Sequence, residues 1–557
     1  MKTLLLFIAV SLLSINSYSS HFVGGEITWR CLPTGSYIFY MNTYRDCSGL
    51  PWVFQNEQIS INGSLLPSNG IISIVMKPDS NKFTHARNGD LALECGTSYG
   101  SPRSCSTNFG ETIQFFPYVS DPIQLTGTPP SSGWAISYTA SCCVPNNTTN
   151  INASGNTLLR AMMFGSSSVD TCYDSSPLFA ELGNNVFCSG QRISFNQKAI
   201  VLDGDSLVFS NANNYVGSSA NPIQIPYKPG FSVNNPIPGN PLNPNNQAYS
   251  IDSKSGDIGF DSFGLGVVLH YATNTKVTSY RNGVKLSEVY RDVRFSIVNC
   301  DTLPSGEINT APELAPPFNN GGVSSYSTTV IAGTLLSMPI IVNDTNNNGI
   351  GNGRQEITVV PMGSSFSLDF MNSSLCQDPS DTSCVTLGFA PALDTTQIPA
   401  KFSYRGQSSS YLFMNWQTDC NHLTKSGEAK THYFTIKMKD DHCPHPAQSY
   451  KTIAITVTPS TTNCNLITGI QENNTSTLKD RVQLFPNPTA GDFSIHFSNK
   501  LEEVEVLVRD INGKLIQQKQ HSAQSKLDLS IHGNSGIYLV QITNVLGERV
   551  NLKVIKQ

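Results

Sequence analysis

The sequence predicts an all-β protein made of tandem β-sandwich modules, with one further small β-sandwich at its C-terminal end. Three observations carry this. Short runs of alternating apolar and polar residues recur along the chain, broken by turns rich in Gly, Pro and Asn. Charged residues make up only 13% of the sequence, and long amphipathic helical patterns are scarce. At 557 residues the chain exceeds what one core supports, so several domains are expected.

The first 19 residues read as an export signal. Lys2 precedes the apolar run 4–13, and the small polar residues Ser17-Tyr18-Ser19 follow. That order is a secretory signal peptide, with the mature chain starting at Ser20. The run is shorter than the ~20 residues needed to span a bilayer. All 14 cysteines lie beyond it, and an exported chain with an even count predicts disulfides. Sequence does not fix their connectivity; local pairs such as Cys95–Cys105, Cys172–Cys188, Cys376–Cys384 and Cys420–Cys443 are the expectation. The formal net charge of -5 is mild, and the chain lacks a basic stripe, so no nucleic-acid partner is implied.

Residues 20–151 are expected to form an N-terminal β domain. Strand 26–31 turns at Pro33-Thr34-Gly35 into the aromatic strand 37–47, and strand 134–143 closes the block. Cys142 and Cys143 are neighbours on that strand and face opposite ways, so each serves a different partner. The second domain, 152–302, has a strand at 199–209, a loop rich in Pro and Asn at 222–246, and a hairpin at 277–286 around Asn282-Gly283. The third, 323–458, has strands near 330–342, 433–438 and 453–457. A polar linker spans 459–480. Residues 481–557 alternate at 493–497 and 504–510, turn at Asn512-Gly513, and finish through 536–542 and 550–556 as a small antiparallel sandwich.

Four stretches near the C-terminus occur in a telling order: Leu484-Phe485-Pro486-Asn487-Pro488-Thr489, Asp510-Ile511-Asn512-Gly513-Lys514, Gly536-Ile537-Tyr538-Leu539-Val540 and Lys553-Val554-Ile555-Lys556. Together they resemble the type A C-terminal sorting domain of cargo exported by the type IX secretion system of Bacteroidetes. The resemblance implies that Pro486, Asn487, Pro488, Gly513, Gly536, Tyr538 and Lys553 belong to the sorting motif. It implies the secretion translocon and its sorting peptidase as partners, and a cut near 465–482. It further implies that the cargo is secreted or held at the outer-membrane surface, joined there to anionic lipopolysaccharide. Gly24-Gly25-Glu26-Ile27-Thr28-Trp29-Arg30-Cys31, Tyr44-Arg45-Asp46-Cys47 and Ser141-Cys142-Cys143 are similar to the N-terminal region of large Bacteroidetes surface and adhesion proteins. Asp203-Gly204-Asp205-Ser206-Leu207-Val208 and Tyr290-Arg291-Asp292-Val293-Arg294-Phe295 resemble the immunoglobulin-like or cadherin-like module that follows in them. This second resemblance covers about residues 22–300.

Calcium is the one candidate cofactor. Asp344, Asn346 and Asn348 place oxygens at alternate positions before Gly349, as a tight calcium loop does. Asp203 and Asp205 flank Gly204, although Val201 stands where a third Asp would help; Asp440-Asp441 is a weaker site. Cys420, His422, His442, Cys443 and His445 contain zinc-ligand types, but a disulfide is favoured there over zinc. The chain has no His-Glu-x-x-His helix. Gly349-Ile350-Gly351-Asn352-Gly353 lacks the Lys-Ser/Thr of a phosphate loop. A glycosidase carboxylate pair, by contrast, assembles from distant strands and leaves no local signature. Tyr37, Phe39 and Tyr40 suit core packing better than sugar contact. The leading expectation is a non-enzymatic adhesive or structural protein with a surface or glycan ligand. The alternatives are an extracellular hydrolase acting on a polymer and a subunit of a larger surface assembly.

Overall fold

The computed structural model describes residues 22–460 and 482–557, apart from internal segments; those longer than four residues are 96–102, 141–147, 166–173, 301–307, 345–354, 363–384, 395–400 and 498–502. The signal peptide, most of the linker and the Cys142-Cys143 pair lie outside the described residues. The chain divides into two compact units, 1–464 and 465–557. Among the described residues it is nearly all β, in layered sheets, as the alternation predicts.

In the first unit, β1 (Phe22–Cys31), β2 (Tyr37–Asp46), β3 (Glu57–Asn62), β4 (Ile71–Pro78), β5 (Ile113–Ser120), β6 (Trp134–Thr139) and β7 (Leu158–Met163) join the long strand Val284–Val298 in one sheet. The order is β1-β2-β5-β4-β3-β6-β7 and then the long strand, which returns to β1 at Gly25↔Asp292. The layers are therefore closed on themselves. Two glycines permit the closure. A Cβ on Gly24 would sit 2.0 Å from the Asp292 carbonyl oxygen, and one on Gly25 would sit 2.3 Å from that of Asn42. Gly24 also has φ +133°, where side chains are strained.

The inward residues of β2 are Tyr37, Phe39 and Met41, all fully buried. They pack with Trp29, Trp134, Ile59, Ile61, Ile136 and Tyr118, so the ring is filled rather than hollow. Tyr40, between two of them, points to the other side of the sheet, as a period of two requires. Burying each large apolar side chain contributes about 1.5–3 kcal/mol.

The expected boundary at residue 151 does not divide two sheets. β6 lies before it and β7 after it, and they pair from Trp134↔Met163 to Thr139↔Leu158. Turn residues mark where strands end, but they do not say which sheet a strand enters. The expected hairpin does form: Leu269–Arg281 returns as Val284–Val298 through Asn282-Gly283, both at positive φ.

Residues 323–458 contribute a sandwich. Met338, Ile340, Leu412, Met414 and Trp416 from one sheet meet Ile357, Val359, Phe434, Ile436, Met438 and Ile455 from the other. This module is not separate from the preceding strands. Val360, Met362 and Tyr450 enter a second core with Phe187, Phe195, Phe260 and Phe295. The Phe195 and Tyr450 rings meet edge to face at 5.0 Å.

The described disulfides are Cys47–Cys105, Cys95–Cys443 and Cys188–Cys300, spanning 58, 348 and 112 residues. Cys31 and Cys420 are also disulfide-bonded. This corrects three of the local pairings: Cys95 does not join Cys105, Cys188 does not join Cys172, and Cys443 does not join Cys420. Sheet topology brings distant segments side by side, and that decides pairing over sequence proximity. Cys376 and Cys384 lie outside the described residues.

The second unit is a small two-layer sandwich. Val482–Phe485, Asp492–Phe497 and Lys526–Ser530 form one sheet; Glu503–Asp510, Leu515–Ser522, Gly536–Asn544 and Arg549–Lys556 form the other. Phe493, Ile495, Val506, Val508, Val540 and Val554 fill its core.

Candidate functional site

Of the residues expected in the sorting motif, Asn487 reaches the strand Arg549–Lys556. Pro486, Asn487 and Pro488 are exposed in the turn between Val482–Phe485 and Asp492–Phe497. Asn487 works as a clasp: its Nδ2 donates to the Lys553 carbonyl at 2.6 Å, and the Ile555 N–H donates to its Oδ1 at 2.8 Å. Thr489 continues the clasp, donating its N–H to Ile555 O at 2.8 Å and accepting from Gln557 N–H at 2.9 Å. Two proline rings restrict the turn and leave no N–H to be satisfied, so the Asn carboxamide supplies the missing strand-like pairing.

Lys553 enters this contact through its carbonyl, while its side chain is exposed. Tyr538 is buried, and its hydroxyl donates to Asn534 O at 2.8 Å. That hydroxyl lies where a Cβ on Gly533 would be 2.5 Å away, so only glycine fits beneath it. Lys556, which closes the quoted stretch Lys553-Val554-Ile555-Lys556, donates to the carbonyls of Ile531 at 2.9 Å and Gly533 at 2.7 Å. Its signal was the basic ending of the chain. Gly536 faces open space, and nothing in the structure explains a glycine there. Gly513 lies outside the described residues. Asn487→Ala removes both clasp bonds and is expected to lower the stability of this unit by roughly 1–2 kcal/mol. The midpoint of its denaturation measures this, and an unchanged midpoint would refute the clasp.

Of the calcium candidates, Asp205, Asp344, Asp440 and Asp441 fall among the described residues. Asp205 is already paired with a cation: Arg281 Nε reaches Asp205 Oδ1 at 2.7 Å and Arg281 Nη2 reaches Oδ2 at 2.9 Å. The same guanidinium is 3.3 Å from Asp174 Oδ1. Both carboxylates are almost fully buried, so Asp205 anchors an arginine. Asp344 is buried beside Asp440. Burial, and then the Asp344 charge, push the Asp440 carboxyl well above its usual range. Asp203, Asn346 and Asn348 lie outside the described residues.

Zinc ligation is not assembled either. Cys443 is bonded to Cys95. His445 Nε2 lies 3.1 Å from Glu111 Oε2, and that contact holds the Glu111 carboxyl below its usual range. His422 Nδ1 accepts from Asp419 N–H at 2.9 Å. Among the described residues no group of three or more His, Cys, Asp or Glu side chains is placed to hold a metal.

An open cleft of about 750 Å³ lies where the strands of 191–259 meet those of 310–451; Arg192, Asp252, Asp257, Glu313, Tyr326 and Lys451 line it. The Lys451 ammonium stands 4.2 Å over the Tyr326 ring. Asp252, although partial burial pushes it upward, is held below the usual carboxylate range by the N–H groups of Ser255 and Lys254. No described helix is long and apolar enough to cross a membrane.

No curated protein matches the chain. Among solved structures it is similar to dimeric latent PorU from Porphyromonas gingivalis, 14% identical, covering 71% of this chain and 35% of that one, with a TM-score of 0.14. The major pilin subunit of Bacillus cereus is 11% identical over 66% of this chain and 94% of its own, TM-score 0.18. A two-domain fibronectin type III segment of chicken tenascin is 11% identical over 44% of this chain and 99% of its own, TM-score 0.13. At these scores the superpositions transfer no property to this chain. The C-terminal unit is matched directly: residues 483–557 fit the family model "Secretion system C-terminal sorting domain". The clasped C-terminal sandwich is that sorting domain, and the chain is a cargo of the type IX secretion system, exported to the cell surface or the extracellular space with the secretion machinery as its partner.

Proposed function

We propose that the exported protein is a non-enzymatic structural or adhesive component of the cell surface. The observation that carries this is the interior of the first unit. Its closed ring is packed with Trp29, Trp134, Tyr37 and Phe39, so the closed layers enclose side chains and not a reaction centre. Disulfides spanning 348 and 112 residues brace the same unit, which suits a part exposed to an oxidising exterior and to load. Contact with a partner then falls to the loops and to the open cleft around Tyr326 and Lys451. An aromatic ring among alternating cationic and carboxylate groups is suited to a glycan presented on a neighbouring surface. The sorting domain is removed in the linker, and the cargo is released or retained on anionic lipopolysaccharide.

The test incubates the purified mature protein with cells, an array of surface glycans, and polymeric substrates. Saturable binding that falls when Tyr326 is changed to Ala is expected. Turnover of a polymer without such binding would replace this reading with a hydrolase. Mass spectrometry of the mature C-terminus from fractionated cells is expected to place the end of the chain near 465–482.

A further inference from the structure

Glu26 of β1 and Asn42 of β2 are register partners, on the side of the sheet facing away from the Trp29 core. The helix α1 (Ser80–His85) lays Lys82 against them. Asp79 caps this helix, accepting from the Lys82 N–H at 2.9 Å, which fixes where the lysine stem starts. The Lys82 Nζ donates to Asn42 Oδ1 at 3.3 Å. The Asn42 Nδ2 donates to Glu26 Oε1 at 2.6 Å. The carboxamide sits one way round, because its NH₂ meets a carboxylate and its oxygen meets an amine. Glu26 is only 2% exposed, and the Tyr44 hydroxyl donates to its Oε1 at 3.2 Å. Phe115 lies 5.5 Å from the amine, and Arg291 Nε is 3.5 Å from Glu26 Oε2. An amine, a carboxamide and a carboxylate are thus held in series in a pocket walled by aromatic rings.

We propose that Lys82 and Asn42 become joined by an intramolecular isopeptide bond, formed by the protein itself with Glu26 as proton carrier. A carboxamide carbon is only about 1.2 Å from its oxygen, so the amine has little distance to travel. Burial, and to a smaller degree the Arg291 charge, lower the Lys82 pKa against the opposing pull of Glu26 and Asp79, which favours the nucleophilic neutral amine. The amine nitrogen attacks Asn42 Cγ, forming the C–N bond while the carbonyl electron pair moves to Oδ1. Glu26 takes a proton from the attacking nitrogen and hands it to Nδ2, already hydrogen-bonded to it. The carbonyl re-forms, the Cγ–Nδ2 bond breaks and ammonia leaves. Glu26 returns to its starting state, and nothing is oxidised or reduced. The product ties α1 to β2 within the ring.

The test is mass spectrometry of the reduced, denatured mature protein. The intact chain is expected to be lighter than its sequence by the mass of one ammonia. A tryptic digest should contain one branched peptide joining the Asn42 and Lys82 segments, with no cleavage after Lys82. Lys82→Arg and Glu26→Gln should each restore the full mass and eliminate the branched peptide. Recovery of Asn42 and Lys82 in separate unmodified wild-type peptides would overturn the proposal and leave a hydrogen-bonded network only. A branched peptide persisting in Glu26→Gln would overturn the role of Glu26. If Glu26→Gln does not fold, the wild-type and Lys82→Arg digests still decide whether the bond exists.

Discussion

The double variant Cys95→Ser/Cys443→Ser is expected to lose roughly 5 kcal/mol of stability in the first unit. The reason is the reach of the crosslink, which spans 348 residues. Loop-closure entropy grows with the logarithm of loop length, so a span this long constrains the unfolded chain strongly. The Cys188–Cys300 bridge lies inside the span and shortens the effective loop by 112 residues, which alters the logarithm little. Without the bridge, residues after 313 are held to the ring by other contacts. Lys437 Nζ meets Glu181 Oε2 at 2.8 Å, the Ser194 hydroxyl donates to Tyr450 O at 2.6 Å, and His445 meets Glu111 at 3.1 Å. These partly exposed contacts contribute less than the lost constraint. Urea denaturation should therefore show a lower midpoint, with the sandwich built from 323–458 becoming protease-sensitive first. Changing both cysteines avoids a free thiol that would reshuffle. A midpoint shift worth less than about 1 kcal/mol would show that the shared aromatic core, not the bridge, holds the two parts together.

Arg281→Met is expected to cost about 3–5 kcal/mol. The guanidinium neutralises two buried carboxylates: side-chain exposure is 0% for Asp174 and 2% for Asp205, against 22% for Arg281 itself. Methionine keeps most of the stem's packing but leaves two like charges facing each other out of water. Asp174 also holds a core tryptophan, since Trp29 Nε1 donates to its carbonyl at 3.1 Å. The loss should therefore reach the ring as well as the loop. Adding Asp174→Asn and Asp205→Asn to Arg281→Met is expected to recover a large part of the stability. Thermal melts of the two variants measure it, and a loss under 1 kcal/mol for Arg281→Met would show that water reaches the site.

Periodicity made the strands legible. The alternation in 37–41, the Asn-Gly hairpin at 282–283 and the alternation at 493–497 each report a local choice between two faces, and the structure uses them as read. The sorting domain was legible for a different reason: its turn, glycine, tyrosine and basic ending recur in a fixed order. Contacts between distant segments left no such trace. Gly24-Gly25 was visible as a pair, but only the approach of Asp292 explains it. The Asp-Gly-Asp stretch looks the same whether its carboxylate faces calcium or Arg281, and the partner's arrival from another strand decides. Cysteine pairing failed on the same ground, because loop length favours neighbours in sequence while topology supplies neighbours in space. Glu26, Asn42 and Lys82 are single unremarkable letters until two strands and a helix bring them together.

The clasp between Asn487 and the segment ending at Gln557 makes the address self-authenticating. A polypeptide that ended before Lys553, through a frameshift or a nick, would still contain Pro-Asn-Pro but would lack both partners of Asn487. The finished label therefore needs residues 553–557 in place, although they lie more than sixty residues from the turn they fasten.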